Sequence, residues 1–93
     1  MNSKGKILWV DDEIDLLKPH IMYLENKGYE VVPVHSGEDA IHLTQEDTFD
    51  LVLLDEMMTG LDGLTTLKYI KEIDPNLPII MITKNEEESL MEE

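Results

Sequence analysis

Three aspartates and a threonine each stand directly after a short apolar run. Asp11 and Asp12 follow Ile7-Leu8-Trp9-Val10, Asp55 follows Leu51-Val52-Leu53-Leu54, and Thr83 follows Ile79-Ile80-Met81-Ile82. Taken singly, each has an ordinary explanation: Asp12 or Glu13 favours the start of a helix, Asp55 opens a loop, Thr83 ends a strand. Taken together they ask for more, because three carboxylates brought to one sheet edge repel one another unless a cation or a proton sits among them. Mg2+, with Mn2+ as its substitute, is the economical ion at Asp11, Asp12 and Asp55. It takes hard oxygen ligands, keeps several waters, and commonly combines one or two carboxylates with a phosphate oxygen. Zinc is the poorer choice, since the chain has no cysteine and no histidine at these strand ends.

The elements that must position these residues are legible as an alternation of strand-length apolar runs with helix-period segments, the pattern of parallel strands joined by crossover helices. Ile14, Leu17, Ile21 and Leu24 recur on one helical face, which Lys27-Gly28 ends. Pro19 falls inside that segment, where a proline costs about 3 kcal/mol unless the helix bends or starts late, and a kink near residues 15–19 is predicted. Val31-Val32-Pro33-Val34 reads as a second strand, with its proline calling for an edge position. Ser36 with Asp39 three residues on predicts a capped helix through Ala40, Ile41 and Leu43. The third strand is the run before Asp55, and Gly60 and Gly63 mark a loop ahead of a helix carrying Leu64, Leu67, Ile70 and Ile73, stopped by Asp74-Pro75. Pro78 opens a fourth strand, and Asn85 is placed to cap a further helix beginning Glu86-Glu87-Glu88. In an open parallel sheet ligands bind beyond the carboxyl ends of the strands, where all four singled-out residues fall.

Composition narrows the function classes. The 93 residues carry 7 Lys+Arg against 21 Asp+Glu, a formal net charge of −14, with 42% hydrophobic and 30% charged residues. That is one domain with enough apolar residues for a core. The charge disfavours direct nucleic acid or anionic membrane binding, because no basic surface is left to neutralise phosphates. The first apolar run is too short for a signal or membrane segment, so a cytoplasmic protein is expected.

The set Val10-Asp11-Asp12-Glu13, Leu53-Leu54-Asp55-Glu56-Met57-Met58, Gly60-Leu61-Asp62-Gly63 and Ile82-Thr83 resembles the receiver domain of bacterial two-component response regulators. More narrowly, residues 8–13 and 83–88 are similar to receivers of PorX-type regulators. The resemblance covers the whole chain. It implies an α/β doubly wound parallel sheet, flavodoxin-like, with strand order 2-1-3-4 present and a fifth strand and last helix lacking. Residues 1–93 are on this reading a receiver domain cut off after the start of its fourth helix. Asp55 would be the phosphoacceptor, taking a phosphoryl group from a sensor histidine kinase or phosphotransfer protein. Mg2+ would be held by Asp12, Asp55, the Met57 backbone carbonyl and, through water, Asp11, and Thr83 would be the switch hydroxyl that shifts residues 84–93. Three departures stand out. Thr59 occupies a position where the family usually has proline, which suggests a looser turn. Lys84 follows the switch threonine where a small residue is usual. The family lysine after strand five has no counterpart before Glu93.

Other readings fit less well. A Mg2+-dependent phosphohydrolase with Asp55 as nucleophile should carry an acid two residues on, and position 57 is Met. A receiver-like interaction module that never carries phosphate predicts a damaged acid cluster, whereas Asp11, Asp12, Asp55 and Thr83 are all present. Thr83-Lys84-Asn85-Glu86 faintly resembles a guanine-specificity motif, but no phosphate-binding GxxxxGK[ST] loop accompanies it. His20, His35 and His42 lack metal-ligand spacing. Met57, Met58, Met81 and Met91 are expected to fill core gaps or loop pockets, and Trp9 to be core. No independent turnover of a substrate is expected. The apolar, uncharged edge at residues 77–82 raises a homodimer, through paired fourth strands or exchange of the segment after Thr83.

Overall fold

The computed structural model describes residues 3–83. Four strands, β1 (Gly5–Val10), β2 (Tyr29–Val34), β3 (Leu51–Asp55) and β4 (Ile79–Ile82), alternate with α1 (Lys18–Asn26), α2 (Gly37–Glu46) and α3 (Gly63–Ile73). They form one parallel sheet in the order β2-β1-β3-β4, the expected flavodoxin-like winding. β1 is central and its apolar run is buried throughout, while β2 lies at an edge, where the missing N–H of exposed Pro33 leaves no gap in the sheet.

The period of two along each strand sends side chains to opposite faces. Leu8 and Val10 of β1 join Val52 and Leu54 of β3 in a cluster closed by Ala40 of α2, Ile70 of α3, Phe49 and Leu77. Trp9 and Val31 point the other way, with Ile14 and the partly buried Leu17, Ile21 and Leu24 over them. Thus α2 and α3 cover one face and α1 the other. The two covering helices approach closely at Gly37, where an added Cβ would lie 2.1 Å from the Thr66 hydroxyl oxygen.

Pro19 does not bend a continuous helix. Ile14–Leu17 forms a 3-10 turn and the α-helix begins at Lys18, putting the proline in its first turn, where no intrahelical N–H bond is lost. Two expectations about side chains are corrected. Leu64 in the first turn of α3 is 55% exposed and its place on the buried face is taken by Thr66, whose hydroxyl donates to the Asp62 carbonyl at 2.8 Å and so needs no water. Met57 is 73% exposed and fills no gap, whereas Met58 and Met81 do pack against the core.

Ser36 caps α2 as expected, its hydroxyl oxygen accepting from the Asp39 N–H at 3.1 Å. Ser36→Ala is expected to lower stability by about 1 kcal/mol, the usual value of an N-cap; urea unfolding with an unchanged midpoint would contradict it. The helix expected from Asn85, the Lys84 departure and the exchange of a segment after Thr83 lie outside the described residues.

Candidate functional site

Asp55 is the last residue of β3 and pairs in register with Ile82 of β4. On the other side Val10 pairs with Leu54, so Asp11, one step past the end of β1, comes level with Asp55. The sheet thus brings together residues 44 positions apart in the chain, and the following loop adds Asp12. One oxygen from each of Asp11, Asp12 and Asp55 can be chosen so that all lie within 4.8 Å of one another. Thr83 follows directly on β4 and is exposed, at the same carboxyl edge.

Local hydrogen bonds hold the first two strand ends. The Asp11 N–H donates to the Val34 carbonyl at 3.1 Å, extending the pairing with β2 by one residue, and the Asp11 carbonyl accepts from the Ile14 N–H at 3.0 Å. Its Oδ1 accepts from the Glu13 N–H at 2.8 Å, an Asx-type turn that aims the side chain along the edge. Asp55 is fixed in a similar way: its Oδ1 accepts from the Met57 N–H at 3.3 Å. Asp11 and Asp55 are each only 1% exposed, so two of the three carboxylates sit out of bulk water. Asp12 is half-buried and reaches the surface in an open cleft of about 570 Å3 that Glu56, Met58, Thr59 and Asp62 also line.

The loop after β3 returns close to the strand because Gly63 permits it. A Cβ there would meet the Asp55 carbonyl oxygen at 2.3 Å and the Glu56 Cα at 2.9 Å. The same loop turns at Gly60, whose φ of 77° lies in the left-handed region open to glycine. Thr59, where the family pattern has proline, makes a contact in this turn that proline could not. It ties the loop to Asp12, with its N–H 3.0 Å and its hydroxyl 3.4 Å from Asp12 Oδ2. Sequence reasoning gave Thr59 no role; its only signal was a residue with two donors where the family pattern has one with none.

Asp62 caps α3. Its Oδ1 accepts from the Thr65 N–H at 2.9 Å, and this bond, reinforced by the Thr65 hydroxyl and the Lys68 charge, holds its carboxyl below the ordinary range. A folded-state value below the unfolded one means stability that is complete above the unfolded carboxylate range and is lost as pH falls through the folded value. Unfolding midpoints should therefore drop on acidification below about pH 4, and Asp62→Asn, which can still cap but cannot titrate, should flatten that drop. An identical acid limb in the variant would count against it.

A hard, all-oxygen set of this compactness fits a small divalent cation such as Mg2+. Among the described residues, the group with metal-ligand proximity is this all-carboxylate one. Among the described residues no helix is long and apolar enough to cross a membrane.

Comparison with known proteins follows the same lines. The family model described as "Response regulator receiver domain" matches residues 7–93. The chain is 40% identical over 83 residues to the transcriptional regulatory protein ZraR of Salmonella typhimurium, covering 89% of this chain and 19% of ZraR. It is 42% identical over 87 residues to the transcriptional regulatory protein ResD of Bacillus subtilis, covering 94% of this chain and 36% of ResD. The crystal structure of the response regulator TrrA from Thermotoga maritima in complex with Mg2+-BeF superposes with a TM-score of 0.78 at 33% identity, covering 84% of this chain and 68% of that one. The chain therefore spans about a fifth to a third of the curated relatives it matches. These matches carry the family and leave the PorX-type likeness unaddressed.

Proposed function

Since this chain belongs to the response regulator receiver-domain family, we propose that it accepts a phosphoryl group on Asp55 from a sensor histidine kinase or phosphotransfer protein and relays it as a conformational switch. The observation that supports this most is the meeting of Asp11, Asp12 and Asp55 within 4.8 Å at the carboxyl edge of the sheet. A carboxylate oxygen of Asp55 attacks phosphorus; the P–O bond forms as the P–N bond of the phosphohistidine breaks, and the imidazole leaves with the electron pair. The Met57 N–H on Oδ1 keeps the carboxylate oriented for that approach.

Asp11, Asp12, Asp55 and the Met57 backbone carbonyl would hold Mg2+, or Mn2+ in its place. The ion would neutralise charge on the transferring group. The TrrA complex with Mg2+-BeF supports the same ion here. Thr83, one residue beyond the strand pair Asp55–Ile82, would donate its hydroxyl to a phosphoryl oxygen and carry the change into the residues that follow. The chain is a signalling domain on this reading, with one phosphoryl group held per molecule and no substrate turned over. A cytoplasmic setting completes the proposal; direct nucleic acid and membrane contacts are no part of it. Self-association through the β4 edge, where Ile80 is 52% exposed, is a secondary expectation.

Acetyl phosphate with Mg2+ tests the proposal. Intact mass should rise by one phosphoryl group and peptide mapping should place it on Asp55. Labelling elsewhere, or none in a folded chain that binds Mn2+, would overturn the assignment.

A further inference from the structure

Thr59 and Asp12 are 47 residues apart, and two hydrogen bonds join them. The Thr59 N–H lies 3.0 Å and its hydroxyl oxygen 3.4 Å from the same carboxylate oxygen, Oδ2. A proline at position 59 would provide neither donor, having no N–H and no hydroxyl. Asp12 is also the half-buried member of the cluster, lacking the enclosure of Asp11 and Asp55, which are each 1% exposed. A half-exposed carboxylate loses rotamer freedom when it binds an ion, so a contact that has already restricted it lowers the entropy loss of binding. Hydrogen bonds to ligating carboxylates act in this way at metal centres generally.

We propose that Thr59 is a positioning residue for Asp12: its two donors hold Oδ2, set the carboxylate rotamer, and leave Oδ1, which Thr59 does not touch, to a divalent cation. The proposal rests on Asp11, Asp12 and Asp55 being the cation site. Thr59 joins the loop after β3 to the loop after β1, so it couples the two segments that carry these carboxylates. The backbone donor is the shorter contact and survives any substitution except proline; the hydroxyl adds to it.

Mn2+ titration of the 93-residue chain, followed by the electron paramagnetic resonance signal of free Mn2+, reads affinity without any phosphoryl transfer. Thr59→Ser keeps both donors and should bind within about twofold of the unsubstituted chain. Thr59→Val loses the hydroxyl and should bind a few-fold more weakly, and Thr59→Pro loses both and should bind at least about tenfold more weakly, the scale seen for lost partners of metal ligands. Thermal unfolding in EDTA should be unchanged in Thr59→Val, separating positioning from a general loss of stability. If Thr59→Pro is unfolded in EDTA, Thr59→Val against Thr59→Ser decides. Equal or tighter Mn2+ binding by the valine variant overturns the positioning role and leaves the cation site standing. Failure of the unsubstituted chain to bind better than Asp12→Ala overturns both.

Discussion

Asp55→Asn is expected to abolish labelling by acetyl phosphate and, in divalent-free solution, to raise the unfolding midpoint. The first effect follows from chemistry: an amide oxygen is a far weaker nucleophile than a carboxylate, so no acyl phosphate forms at that position. The second follows from electrostatics. Three carboxylates with oxygens within 4.8 Å of one another, two of them 1% exposed, repel. At an effective dielectric of ~20, two unit charges at that separation repel by roughly 3.5 kcal/mol. Asparagine keeps the size of the side chain and an acceptor for the Met57 N–H, so the repulsion falls while packing is kept. Intact mass measures the one and thermal unfolding in EDTA the other. A variant that is labelled as fast as the original chain, or that is less stable without divalents, would contradict the assigned roles. Adding Mg2+ should stabilise the unsubstituted chain more than the variant, because an ion that binds only the folded state stabilises it in proportion to its affinity.

Gly63→Ala should be the most damaging single methyl group in the described chain. The added carbon would fall 2.3 Å from the Asp55 carbonyl oxygen and 2.9 Å from the Glu56 Cα. Both neighbours are backbone, so no side-chain rotation relieves the clash. Either α3 moves off the sheet, opening the packing of Ile70 against Leu54 and Val52, or the end of β3 shifts and takes Asp55 with it. Overpacking of this kind costs about 2–3 kcal/mol, a large share of the stability of a domain this size. Urea unfolding checks the first consequence and Mn2+ affinity the second; wild-type values of both would mean that the loop has slack at no cost. At Gly37 the corresponding obstacle is the Thr66 hydroxyl, a side-chain atom, and alanine there should be milder once Thr66 is shortened to Ala in the same chain.

What the amino-acid order decided by itself was the succession of elements and the chemistry at their ends. Apolar runs of strand length alternating with helix-period segments read as parallel strands, which puts Asp11, Asp12, Asp55 and Thr83 just past strand carboxyl ends whatever the strand order. The Ser36 cap and the stop at Asp74-Pro75 were equally local, since each depends on residues within one helical turn. The distances in the cluster were not local. They depend on the register that sets Val10 beside Leu54, a pairing decided by how two faces of side chains interdigitate across the sheet. Three further features needed the tertiary structure: the approach of Gly63 to the Asp55 backbone, the exchange of Leu64 for Thr66 on the buried side of α3, and the hold of Thr59 on Asp12. Each joins segments that periodicity treats separately, and periodicity along one segment carries no information about which atom of another will lie against it.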